Sequence, residues 1–119
     1  MRFKRLTLLA TAGLLMAALP VAAHHSFKAQ YDETQLITLK GTITKVDWNN
    51  PHVLMYLEVK DNKDSVANWQ LELASPNGLL SQGWKVDSLK RGDQVSVSGF
   101  RARDGSNMAN IRKVTLDLH

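Results

Sequence analysis

The chain contains no cysteine. That absence excludes disulfides, thiolate metal sites and a thiol nucleophile. No Ser-His-Asp order, phosphate-binding glycine loop or zinc-protease motif is present, and no paired carboxylates sit in an apolar setting, so catalysis has little direct support. An apolar run long enough to cross a bilayer is missing too. Leu6 to Leu19 falls short of the ~20 residues a spanning helix needs. No internal repeat or low-complexity segment appears.

What stands at the start is a leader. "MRFKRLTLLATAGLLMAALPVAA" has a basic beginning (Arg2, Lys4, Arg5), an apolar centre and small residues at the end, the three parts of a secretory signal. Val21 and Ala23 suit the positions three and one before the cut, so cleavage is expected after Ala23, with residues 1–23 removed. His24 then becomes the first residue of a mature chain of 96 residues, one small domain with no spare length for a second core. An exported domain without cysteine suits the periplasm of a bacterium, with membrane contact only during export.

Once the leader is set aside, surplus charge is also lacking. Of 15 Lys+Arg three leave with the signal, and 12 remain against 11 acidic residues. A nucleic-acid partner is therefore not expected, which leaves a protein or a small molecule.

From His24 to Gln35 only Phe27 and Tyr31 are apolar anchors, and no period can be assigned. This stretch reads as an extended arm, 24–35, ahead of a domain over 36–119. Ile37, Leu39, Gly41 and Ile43 alternate, but Val46 and Trp48 fall on the other parity, which demands a bulge or a bend. The turn "NNP" follows, and Val53, Met55, Leu57 and Val59 make the face of a second strand. Ala67, Trp69, Leu71 and Leu73 mark a third. "SPNGLLSQGW" breaks the rhythm: Ser75 as N-cap and Pro76 at the first helical position announce a short helix that cannot run far past Gly83. Val95, Val97 and Gly99 give a fourth strand. "MANIRKVTLDL" gives a fifth, whose apolar parity flips between Ile111 and Val114, after a hairpin signal at Asp104-Gly105.

Three meandering strands, a short helix and two more strands predict an all-β fold, a small five-stranded OB-like Greek-key barrel whose long first strand bends to serve both sheets. An immunoglobulin-like sandwich, which wants about seven strands and no helix in the middle, ranks second.

"AHHSF", "KGTITKVDWNNPH", "SPNGLLSQGW" and "LKRGDQVSVSGFRARDGSNMANIRKVTL" occur in one order over nearly the whole mature chain. Together they resemble an uncharacterised family of small exported bacterial proteins, a domain of unknown function. The resemblance implies a secreted, OB-like domain and supplies no reaction.

The candidate chemistry lies at the new amino terminus. With the cut after Ala23, the α-amine and imidazole of His24 can close a chelate on one ion, and copper(II) favours such nitrogen donors. Copper is therefore the expected metal, held by His24, His25 and His52. His25 is the weaker candidate, because adjacent side chains diverge on an extended arm, and His52 at the start of the second strand is the better third ligand. A cut one residue earlier would place His25 third from the amine, another known copper chelate, but Pro20 disfavours it. The bland reading is that two histidines on a polar arm are solvated and that His52 hydrogen-bonds backbone after Pro51. An oxidative copper enzyme is the least favoured alternative, since neither a substrate surface nor an electron route can be named.

A second set of residues offers a groove for stacking bases or sugars. Parity assigns Trp69 to the core and Trp84 to a cover over the barrel, so the groove reduces to Tyr56 and Asn77. Arg101, Arg103, Arg112 and Lys113 are interleaved with acids and read as a solvated surface. The "RGD" at Arg91 to Asp93 reads as a turn into the fourth strand, not an adhesion motif.

Overall fold

The computed structural model describes residues 27–117. The chain divides into two compact units at Gln30 and Tyr31. Of the first unit only residues 27–30 are described, and they form a helical turn. Residues 24–26 of the expected extended arm lie outside the described residues, and over 27–35 that expectation is corrected in two ways. "FKAQ" holds no glycine, proline or β-branched residue to oppose a helix, and the strand begins at Tyr31. Tyr31 is buried and pairs with Ala102, so it belongs to the barrel. A single apolar residue among polar ones carries no period, so the sequence does not mark the start of the strand at Tyr31.

The second unit is built from β1 (Tyr31–Asp47), β2 (Leu54–Lys60), β3 (Val66–Glu72), α1 (Pro76–Ser81), β4 (Gln94–Ala102) and β5 (Met108–Leu116). The strands close in the order β1-β2-β3-β5-β4. All neighbours are antiparallel except β3 and β5, which run parallel over three residue pairs. This is the expected five-stranded barrel, with its helix between the third and fourth strands.

The long β1 serves two neighbours. Leu36 to Thr42 pair with β4, Thr42 to Asp47 pair with β2, and the register shifts between Ile43 and Lys45. The bend sits where the apolar parity changes sides. Gly41 lets the strands close there: a Cβ would stand 2.4 Å from the Glu58 carbonyl oxygen. The inward faces of all five strands meet in a core centred on Ile43, Val53, Met55, Leu57, Leu71, Val95 and Val97, with Leu79 of α1 and Leu89 joining from the connection to β4. Such burial contributes roughly 1.5–3 kcal/mol per large side chain. Trp69 lies in this core at 7 % exposure, as its parity predicts, and Trp84 packs against it from outside, half-buried.

The connection after β3 holds α1 against this core. Ser75 Oγ accepts from the Gly78 amide at 3.1 Å, Pro76 opens the helix, and the backbone turns away at Gly83 with φ of 96°. The "RGD" segment is a turn. Gly92 donates to the Ile43 carbonyl and Asp93 Oδ2 accepts from the Lys90 amide, so its atoms are used in holding the loop to β1.

Candidate functional site

The parallel ladder between β3 and β5 is short. It runs through Gln70 and Met108, Leu71 and Ala109, Glu72 and Asn110, and there β3 ends while β5 continues to Leu116. Beyond Glu72 the chain turns off through Leu73 and Ala74, whose backbone pairs with Val53, and enters α1. The parting of the two strands leaves a cleft of about 380 Å³. Leu73, Leu79, Trp84, Ile111 and Val114 form its apolar walls, and His52, Gln82, Asn110, Arg112 and Lys113 supply its polar part.

The bulge in β5 shapes the cationic side. Lys113 pairs with Ser98 and Ile111 with Gly99, so Arg112 has no residue opposite it in β4. An extra residue in one strand brings consecutive side chains toward a common side. This is the physical origin of the parity flip between Ile111 and Val114, and it lets both Arg112 and Lys113 line the cleft.

At the mouth of the cleft three polar side chains meet. Asn110 Nδ2 donates to Glu72 Oε1 at 2.8 Å, and His52 Nδ1 stands 3.5 Å from Glu72 Oε2. Glu72 is mostly covered, with 22 % of its side chain exposed, whereas His52 keeps 45 %. Tyr31 belongs to the same neighbourhood: burial, and then the negative charge of Glu72, push its hydroxyl up to about 12. The amide oxygen of Asn110 is buried with no hydrogen-bond partner. A buried acceptor left unmade costs on the order of 1–3 kcal/mol.

The residues singled out from the sequence fall in different places. His24 and His25 lie outside the described residues, as do the cut at Ala23 and the terminal His119. His52 lines the cleft beside Glu72. Among the described residues no group of three His, Cys, Asp or Glu side chains is close enough to hold a metal. Tyr56 is half-buried on β2, with Lys45 Nζ 5.5 Å above its ring, and Asn77 is exposed on α1. Neither lines the cleft.

The four cations divide. Arg101 donates to the carbonyls of Gly105 and Ser106 and to Asn107 Oδ1, and stacks 4.9 Å from the Trp69 ring. Arg103 donates to the Tyr31 carbonyl at 3.0 Å. Those two hold backbone. Arg112, 5.7 Å from the Phe100 ring, and Lys113 line the cleft. The meeting of Glu72 and Asn110 has no signal in the sequence, because a parallel pairing across 38 residues leaves no local pattern.

A family model described as a family of unknown function, DUF6152, matches residues 11–111. The chain belongs to that family. The match runs from residue 11 through Ile111 and so spans β1, β2, β3, α1 and β4. No curated protein matches the chain. Solved structures do. A mitochondrial single-stranded DNA binding protein from S. cerevisiae, Rim1, is similar at a TM-score of 0.54 and 8 % identity, covering 69 % of this chain and 92 % of that one. The N-terminal domain of PriB from Thermoanaerobacter tencongensis, a dimeric structure, is similar at 0.54 and 15 % identity, covering 73 % and 100 %. At such identities the likeness establishes the OB-like fold of the family member and nothing of its ligand.

Proposed function

We propose that the protein is an exported binding module of the periplasm whose ligand is held in the cleft between α1 and β5. The observation that carries this reading is the cleft itself, in which an apolar wall of Leu73, Leu79, Trp84, Ile111 and Val114 meets the polar and cationic side chains of His52, Asn110, Arg112 and Lys113. Ligand sites combine apolar area with a few placed polar groups in this way. The leader supports export, and the near-neutral mature chain supports a small-molecule or protein ligand over nucleic acid. A soluble fragment library of apolar amides and amines, screened by NMR on the isotope-labelled mature chain, tests it. Expected are hits that shift the Trp84 indole together with His52 and Asn110. Hits gathered instead around Tyr56 and Lys45 would remove the cleft from the proposal.

Copper capture belongs to this proposal at the amino terminus. It is supported by the sequence "AAHHSF", which gives His24 an amine and an imidazole after cleavage at Ala23. The mature chain should bind copper(II) with a nitrogen-dominated electron paramagnetic spectrum. A form carrying one extra Met before His24 should lose that spectrum, and an unchanged spectrum would refute the chelate.

A further inference from the structure

The ligand can be specified further. We infer that the cleft receives an extended acidic peptide segment of a partner protein, which adds to the edge of β5 as a strand. The inference rests on the cleft being the binding site and names the class of its occupant.

Three features of β5 lead to it. After Asn110 the strand β3 departs, so from Lys113 to Leu116 the only strand beside β5 among the described residues is β4. A strand edge of this kind is a template for a further strand. The cleft also follows the strand, since five consecutive residues, Asn110 to Val114, line it. At about 3.3 Å per residue they make a wall of roughly 15 Å, a length that suits an extended chain better than a compact metabolite.

The third feature is charge. The bulge at Arg112 brings two adjacent cations onto the cleft. Among the described residues no carboxylate lines the cleft, and Glu72 beside it is engaged by Asn110 Nδ2 and faced by His52. The side that meets the peptide is therefore cationic, and acidic side chains fit it. Between them an apolar side chain would enter against Leu79 and Trp84, which an alternating sequence places on the opposite face of the added strand.

The test uses two blocked hexapeptides, one alternating glutamate with leucine and one alternating lysine with leucine, titrated into the isotope-labelled mature chain. The acidic peptide should shift the resonances of Asn110 to Leu116 and slow exchange of amides within Lys113–Leu116. It should bind at least about tenfold more tightly than the basic one. In Lys113→Glu, a change at an exposed position, the preference should shrink or reverse while the undocked spectrum stays folded. Equal binding of both peptides, or shifts on the Tyr56 face, would overturn the inference. Failure of both peptides while fragments still occupy the cleft would also overturn it and leave the binding module standing. Loss of fragments and peptides together would remove both.

Discussion

Of the register breaks in the barrel, the one at the start of β1 and the one in β5 are settled in opposite ways. Between the pairs Tyr31 with Ala102 and Leu36 with Phe100, four residues of β1 stand against Arg101 alone. Asp32 closes that excursion on itself, accepting from the Thr34 amide at 2.9 Å, the Thr34 hydroxyl at 2.6 Å and Gln35 Nε2 at 2.9 Å. In β5 a single extra residue, Arg112, is enough to rotate the strand, and it coincides with the end of the β3 ladder. There the polar groups are not all used, and a buried amide oxygen remains. A break satisfied by its own side chains is a structural device. A break that opens an apolar wall beside cationic side chains is the one the proposed ligand would use.

The strongest way to break the comparison is to remove the close approach that seats the β5 bulge. A Cβ on Gly99 would stand 2.0 Å from the Asn110 carbonyl oxygen and 2.8 Å from the Ile111 Cα, so backbone must move. Gly99→Ala should cost about 3 kcal/mol or more in urea unfolding, at the upper end of overpacking penalties. It should also displace the resonances of Asn110 to Val114. A variant of near-native stability would show that the bulge tolerates sliding, and that the cleft is less fixed than its geometry implies.

Asn110→Asp acts on the same break through charge. It replaces the donor to Glu72 by a second carboxylate, so two like charges meet in a half-buried site. A loss of about 2 kcal/mol at pH 7 is expected from the broken bond and the repulsion. Because repulsion raises a folded-state carboxyl pKa, part of that loss should be recovered as the pH falls and one proton is taken up. Unfolding midpoints of the variant and the parent at pH 5 and pH 7 check the sign. A variant equally destabilised at both would assign the whole effect to the lost hydrogen bond.

A smaller effect is expected where α1 forms the far wall of the cleft. Ser75→Ala removes the cap of the Gly78 amide and should cost about 1 kcal/mol. Faster amide exchange at Leu79 and Gln82, with β1 to β3 unchanged, would place the loss in the wall alone. Uniform acceleration across the strands would mean that the helix is part of the barrel's cooperative unit.

These residues differ in how visible they were before folding. Val53, Met55 and Leu57 alternate in the sequence and are buried in the barrel, and Ser75 with Pro76 announced a helix that is present. Both parity flips, after Ile43 and between Ile111 and Val114, mark real register shifts, because a period of two cannot change sides without one. What stayed hidden depends on contacts that no local pattern encodes. Glu72 reads as one outward residue of β3, and its meeting with Asn110 follows only from the parallel closure of β3 on β5. Tyr31 read as an anchor on an arm, since its burial comes from β4 and not from its neighbours in the chain. His52 follows the turn at Pro51 and borders the cleft, while no local pattern points to the residues beside it.

The smallest change concerns the self-contained break in β1. The bonds from Thr34, Gln35 and the Thr34 amide, in that order of weight among them, hold the Asp32 carboxyl down to about 2 from an ordinary 3.8. A carboxyl depressed in the folded state contributes stability above its unfolded pKa and loses it as pH falls through the folded one. The contribution of Asp32 should thus be complete above pH 4 and vanish toward pH 2. In Asp32→Asn that segment of the acid unfolding curve should flatten, and above pH 4 the variant should be only slightly less stable, since exposed charges are screened by solvent. The cleft resonances should not move at all. If they do, the two breaks are coupled through Arg101 and β4, and the contrast between a closed break and an open one no longer separates structure from binding.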